Sequence, residues 1–398
     1  MHTSKADLGL MRELNERIVL RLLREEGTIS RAELARRSNL SRSTVSSIIA
    51  ALLAADVVRE TGSGSSSGGR RPIMIELNYQ SRYVVGVEIG STLLTLLVTD
   101  LAANVLQRCQ CSLDIAAGPR ACVAHITKLL DLMLSEARIA RERLLGVGVG
   151  VPGAPAINTG RLITPATMPG WHGTPLGSLL ETALGLPVVV ENAANLGALA
   201  EHRWGAARGG NNIVYLYLGN VGVGCGLILD GRLYRGDSGV AGDIGHLLVQ
   251  EQGLAHSGGS AENLQAEVGV PALLARSRAQ GLPCEQVEDL IRLACQGNNR
   301  AVALIEAAGA EIGRVLVSLL NIINPGVVVV GGSLAASGDL LLQPVRATLA
   351  RQRHATAVDH VAIVPEALGG DVVALGGAAA ILQQAFDMPA AVLSSSVT

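Results

Sequence analysis

The sequence predicts an α/β protein of two facing lobes behind a small helical domain, and three observations carry that expectation. The N-terminal part, residues 1–80, reads as three short helices and a hairpin. From Arg82 onward the pattern changes to apolar strands broken at glycines. One unit of strand, glycine turn and strand then occurs twice, as YVVGVEIGSTLLTLLVTDL from Tyr83 and as IVYLYLGNVGVGCGLILDGRLY from Ile213. Each first strand leads through its turn to a second that ends at an aspartate, Asp100 and Asp230. Two copies of one unit predict a duplicated domain over 81–398, with a cleft between its halves.

The helical domain is justified element by element. MRELNERIVLRLLREEG spaces Leu14, Ile18, Val19, Leu22 and Leu23 at helical intervals, and Gly27 ends that helix. Ser30, with Glu33 three residues on, is a capping-box pattern that opens a second helix. After a turn at Asn39-Leu40, Ser41 can cap a third, with Val45, Ile48, Ile49, Leu52 and Leu53 inward. Its outer start carries Ser41, Arg42, Ser43, Thr44 and Ser46. Two helices joined by a tight turn, the second led by small polar residues and an arginine, make a helix-turn-helix.

VVRETGSGSSSGGRRPIMIEL then reads as strand, flexible loop and strand, which is a wing. Arg70 and Arg71 close the Gly/Ser loop and Pro72 stiffens the return, a placement suited to a narrow minor groove. Between Gly27 and Leu77 seven arginines (31, 36, 37, 42, 59, 70 and 71) face four acids, Glu33, Asp56, Glu60 and Glu76. The segment is therefore locally basic although the 398-residue chain has a net charge of −2. Double-stranded DNA is the expected partner. RNA is disfavoured, because aromatic stacking platforms are missing.

Composition bounds the rest. The chain is 48% hydrophobic but only 2% aromatic, and its 47 glycines interleave with Val and Ile at strand-turn junctions. No apolar run reaches the roughly 18–20 residues of a membrane span, and the start has no signal-peptide core. A soluble cytoplasmic protein is expected. Six cysteines, at 109, 111, 122, 225, 284 and 295, form no C-x-x-C pair and read as reduced thiols. Gly222-x-Gly224-x-Gly226 follows a strand but runs into another strand, where a dinucleotide fold needs a helix. Hydride transfer is a poor fit.

The ordered set GVEIGST, GVGVPG, MPGWHG, VVENAANLGALAE, GVGCGLILDGRLYRG, GVAGDIGH and NPGVVVVGGSLAASGDLLLQPVR, behind the winged helix, resembles the ROK family of repressors and sugar kinases. The resemblance spans nearly the whole chain. With its DNA-binding segment the chain is similar to the regulators of xylose, glucose and N-acetylglucosamine operons. The resemblance implies an actin-like, sugar-kinase duplicated α/β clamp, assembled as a homodimer or a higher homo-oligomer.

What the resemblance implies about the site comes residue by residue. Family kinases end a strand with Glu-Asn-Asp, whose Asp takes the sugar hydroxyl's proton as it attacks ATP. Here the triplet is Glu191-Asn192-Ala193, so no catalytic residue is expected. The first phosphate turn, Asp-x-Gly-Gly-Thr in the kinases, is Glu88-Ile89-Gly90-Ser91-Thr92. A longer acid and a serine there would crowd a nucleotide. The sugar motif Glu-x-Gly-His survives as Asp243-Ile244-Gly245-His246; Gln265 stands for a sugar-binding Glu, and Thr167 for an Asn. Thr167, Asn192, Asp243, His246 and Gln265 are thus the expected effector contacts. The alternative is that they bond only the local backbone. The family's zinc ligands fall on His246, His256, Gly258 and Asn263, too few donors for zinc, so no metal or other cofactor is expected.

Together these predict a regulator, expected to repress a carbohydrate operon, whose inactive kinase-like cleft binds a sugar or sugar phosphate. Two alternatives stay open: a vestigial cleft controlled by a protein partner, and a sugar kinase.

Overall fold

The computed structural model describes residues 5–63, 72–157, 159–163, 168–249, 263–351 and 360–387. The N-terminal domain runs α1 (Lys5–Glu26), β1 (Thr28–Ser30), α2 (Arg31–Ser38), α3 (Arg42–Ala54), β2 (Val58–Ser63) and β3 (Ile73–Leu77). Its strands form one sheet in the order β1-β3-β2, so β2 and β3 are the hairpin expected of a wing. The loop between them, with Arg70 and Arg71, lies outside the described residues. Caps set the helix starts. Ser30 Oγ accepts the Glu33 N–H at 3.2 Å, and Ser41 Oγ accepts the Thr44 N–H at 3.0 Å. Only half of the capping box forms at Ser30, because the Glu33 carboxylate turns outward to Arg36. Asn39 takes the left-handed conformation (φ 56°) that stops α2. Leu14 on α1 is exposed, and the buried stripe is instead Val19, Leu20, Leu22 and Leu23.

The first lobe contains β4 (Tyr83–Ile89), β5 (Leu93–Asp100), β6 (Val105–Ser112), α4 (Pro119–Ala137), β7 (Leu144–Val151), α5 (Leu176–Leu184) and β8 (Val188–Asn192). Helix α6 (Ala193–Trp204) follows directly. The second lobe contains β9 (Ile213–Leu218), β10 (Val223–Leu229), β11 (Arg232–Tyr234), then α7 (Leu264–Val268), α8 (Val270–Ala279), α9 (Val287–Cys295) and α10 (Asn299–Ile323). It closes with β12 (Val327–Gly331), α11 (Asp339–Ala350), β13 (Ala362–Pro365) and α12 (Val372–Asp387).

The duplication is plain in the sheets. Their orders, β6-β5-β4-β7-β8 and β11-β10-β9-β12-β13, are the same pattern, three antiparallel strands extended by two parallel ones. Helices α4 and α5 share a core with the outer face of the first sheet, and α7 to α11 with that of the second. Between the sheets lie α6 and α12, which pack on each other. That contact is backbone to backbone: a methyl on Gly376 would fall 2.0 Å from the Leu196 carbonyl oxygen, and one on Gly148 of β7 at 2.0 Å from that of Gly377. Only glycine permits such an approach.

The winged helix is docked rather than tethered. Its core residues Val19, Leu20, Leu23 and Val45 belong to one apolar cluster with Val84, Leu145, Ile381, Leu382, Ala385 and Phe386. The Arg24 guanidinium lies 5.1 Å from the Phe386 ring centroid, a cation–π distance. No described helix is long and apolar enough to cross a membrane.

Candidate functional site

Two regions carry chemistry. On the winged helix, the start of α3 is held by hydroxyls: Ser41 Oγ lies 2.8 Å from both Ser43 Oγ and Thr44 Oγ1. Arg42, Ser43 and Ser46 are exposed. The surrounding arginines are neutralised, Arg31 by Glu60 at 2.9 Å, Arg36 by Glu33, Arg37 by Glu26 at 2.6 Å, and Arg59 by Glu76 at 2.7 Å. Among the described residues Arg42 has no ion-pair partner. Among the described arginines between Gly27 and Leu77, the open charge is thus the one at the start of α3.

The second region is a cavity of about 590 Å3 between the lobes. At one end stand Asn192, Ala193, Asp243, His246 and Gln265, which the fold brings together from β8, α6, the turn Ile244–His246 and α7. Ala193 is nearly buried, and a methyl group stands where β8 delivers the chain to the cavity. Asp243 Oδ2 and His246 Nε2 lie 3.7 Å apart, both largely exposed to the cavity.

Asn192 is already committed. Its Oδ1 accepts N–H bonds from Ala194 (2.8 Å) and Asn195 (3.4 Å), and its Nδ2 donates to the Gly153 carbonyl at 2.8 Å. One amide hydrogen is left for a ligand. Glu191 is a brace: it accepts the Asn192 N–H and Asn195 Nδ2, each at 2.9 Å, and pairs with Arg235. Thr167 lies outside the described residues, as do His256 and Gly258. Asn263 caps α7 by accepting the Ala266 N–H at 2.9 Å, and among the described residues no cluster suited to a metal ion occurs.

The other end of the cavity was not legible in full. Glu88, from the end of β4, accepts the Tyr217 hydroxyl of β9 at 3.2 Å, a bond between lobes. Tyr215, two residues earlier and stacked 6.3 Å from Tyr217, donates to Glu366 Oε2 at 2.7 Å. Glu366 also accepts the Gly332 N–H at 3.2 Å. Burial pushes the Glu88 carboxyl up to about 7, against the lowering effect of the Tyr217 bond. Burial also raises Glu366, and both phenols lie well above the usual tyrosine value, through burial first and the facing acids second. The signal available in the sequence was that two of only five tyrosines stand at i and i+2 on one strand.

This arrangement has known counterparts. The model of the ROK family matches residues 84–385. The chain belongs to the ROK family. A model described as "Winged helix-turn-helix DNA-binding" matches residues 12–59 ahead of that ROK domain. The xylose repressor of Bacillus subtilis (strain 168) is 29% identical over 388 residues, covering 96% of this chain and 98% of that protein. A crystal structure of a ROK family transcriptional regulator, homolog of the E. coli MLC protein, matches with a TM-score of 0.79 and 22% identity over 95% of this chain and 97% of that one, a likeness of fold. The ROK hexokinase from Thermus thermophilus matches with a TM-score of 0.62 and 30% identity, covering 77% of this chain and 99% of its own. Repressors thus align with the chain from the winged helix onward, and a kinase with the ROK domain alone.

Proposed function

We propose that this chain is a DNA-binding transcriptional repressor of carbohydrate-use genes, with a sugar as effector in a kinase-like cleft that does not transfer phosphate. The observation that carries this reading is one chain holding both an Arg42 at the start of α3 with no ion-pair partner among the described residues and a cleft in which Ala193 takes the base position. A methyl group cannot accept the hydroxyl proton that phosphoryl transfer requires. Ser41, Arg42, Ser43, Thr44 and Ser46 face the major groove, and Arg70 and Arg71 the adjacent minor groove. Asp243, His246, Gln265, Thr167 and the remaining Asn192 hydrogen pair the sugar hydroxyls. The chain acts as a homodimer, which places two winged helices on two half-sites.

Helix α12 supplies the coupling. Its first residues, Val372 and Val373, line the cavity, and Ile381, Leu382 and Phe386 near its other end sit in the winged-helix core. Its 16 residues span about 24 Å. A sugar that prefers the closed cleft shifts α12 and, with it, the spacing of the paired winged helices. The test is operator binding by the purified chain with and without a sugar that raises its melting temperature. Release by sugar supports the reading; operator binding indifferent to a saturating sugar rejects it.

A further inference from the structure

The duplication brings two equivalent residues face to face. Glu88 stands two residues before Gly90 on β4, and Tyr217 two residues before Gly219 on β9. Strands β4 and β9 hold the same central place in their sheets. Their register agrees too, since Glu88 lies opposite Thr95 and Tyr217 opposite Gly224, each partner five residues past its glycine. The hydrogen bond from the Tyr217 hydroxyl to Glu88 Oε1 therefore joins the lobes at matching points. Beside it, the Tyr215–Glu366 bond fits against a glycine: a methyl on Gly331 would fall 2.1 Å from Glu366 Oε2 and 2.4 Å from the Tyr215 hydroxyl.

The groups around Glu88 disfavour its ionised form. The strands flanking β4 place Thr95 and Gly150 opposite it, neither of them charged. Among the described residues the charges that act on it are acids, Glu366 after β13 and Asp371 before α12. Arg108 of β6 is paired with Asp371 at 2.9 Å. Glu201 of α6 acts on Glu366 and accepts the Ala367 and Leu368 N–H groups at 2.9 and 3.0 Å. The start of α12, Val372 and Val373, also lines the cavity, and the residue before its positive end is again Asp371. Burial first, then these acids, hold the Glu88 carboxyl at about 7 against the lowering effect of the Tyr217 bond. Both phenols stay protonated across this range, since burial and the facing acids place them well above the usual tyrosine value.

We infer that the Glu88–Tyr217 contact is a proton-operated latch, which holds the lobes together while Glu88 is protonated and lets them part when it ionises. With the lobes apart the carboxyl meets water and returns toward its ordinary value of 4.5. Parting then releases a proton, so the parted form gains on the latched one as pH rises from about 4.5 to about 7, and gains nothing further above that. The full effect is at most about 300-fold in the equilibrium between the two forms. Closure of the lobes thereby responds to acid with no ligand in the cavity.

The test uses the full chain without ligand, by small-angle scattering and hydrogen exchange at pH 5 and pH 8, with the mass checked by light scattering. Wild type should have the larger radius of gyration at pH 8. Glu88→Gln keeps a carbonyl acceptor for Tyr217 and cannot ionise, so it should stay compact at both. At pH 8 amides of the turns Gly90–Thr92 and Gly219–Gly222 should exchange at least about tenfold faster in wild type than in Glu88→Gln, and at pH 5 equally fast. Comparing the two proteins at one pH cancels the intrinsic pH dependence of exchange. Tyr217→Phe, which keeps the ring and loses the bond, should be expanded already at pH 5. Melting curves check that each variant is folded, and wild type with Glu88→Gln decides alone should Tyr217→Phe not fold. Wild-type dimensions and exchange ratios that do not change with pH, a Glu88→Gln variant that expands like wild type, or a folded Tyr217→Phe as compact as wild type at pH 5 would overturn the latch.

Discussion

The start of α3 and the interlobe cavity differ in how the fold treats charge. Among the described arginines between Gly27 and Leu77, four are matched to acids and Arg42 is not. In the cavity, the described wall carries Glu88, Asp243, Glu288 and Glu366 and neither a lysine nor an arginine. The described helix start carries an open cation, and the described cavity wall carries no lysine or arginine. A regulator with both kinds of ligand benefits from this separation, since neither ligand competes for the other's site. The two regions are nevertheless joined, through the core that α12 shares with the winged helix.

The link between them is the largest effect to break. Phe386, the chain's single phenylalanine, is buried in that shared core beneath Arg24. Phe386→Ala should cost about 3–5 kcal/mol in stability by denaturant unfolding. At a temperature where the variant is folded, sugar should still bind, but operator release should be blunted. Release at wild-type sugar concentrations would show that the signal travels elsewhere.

The acidity of the cavity gives the next effect. Glu88, with its carboxyl pushed up to about 7, keeps its proton in the native state at pH values where the unfolded chain has lost it. The native state therefore binds more protons between about pH 4.5 and 7, and this group's contribution falls as pH rises through that window. Glu88→Gln removes that loss: little change near pH 4.5, and a gain of up to about 3 kcal/mol above pH 7. Parallel melting-temperature profiles for variant and wild type from pH 5 to 8 would rule out this role for Glu88.

On the cationic side, Arg42→Ala should weaken operator binding by about 1–3 kcal/mol and relax preference at one position in each half-site, read by selection from random duplexes. Arg70→Ala with Arg71→Ala should weaken all duplexes alike and lower the salt slope by about two per wing. An unchanged salt slope would remove the wing from the interface. Smallest is Asn192→Ala, which uncaps α6 and should cost about 0.5–2 kcal/mol. If thermal melting does not change, the observed hydrogen bonds of Asn192 contribute nothing net.

How legible each region was follows from how local its determinants are. The winged helix could be read because Ser30, Asn39 and Ser41 act within a few residues of themselves, as caps and stops. The duplicated sheets could be read because each strand-turn-strand unit is continuous in sequence. Leu14 misled, because helical spacing does not say which part of the stripe finds a partner. The Ala193 substitution was legible only against the family's motif. The cavity's acid end was not: Glu88 and Tyr217 are 129 residues apart, and Tyr215 and Glu366 are 151 apart. Pairing across such separations is set by the packing of α6 and α12 between the sheets, which no local pattern encodes. The same holds for the arginines, since Arg31 and Arg59 meet their acids only when the β1-β3-β2 sheet forms.

The central claim is that a ligand in the acidic cavity controls the cationic helix without chemistry. Fluorescence anisotropy of a labelled operator, titrated with the best-binding free sugar in the presence of ATP while ADP is assayed in the same sample, tests it directly. The account predicts operator release at sugar concentrations near the calorimetric Kd, with no ADP above background. Steady ADP formation, or operator still bound when the cavity is saturated, would contradict it.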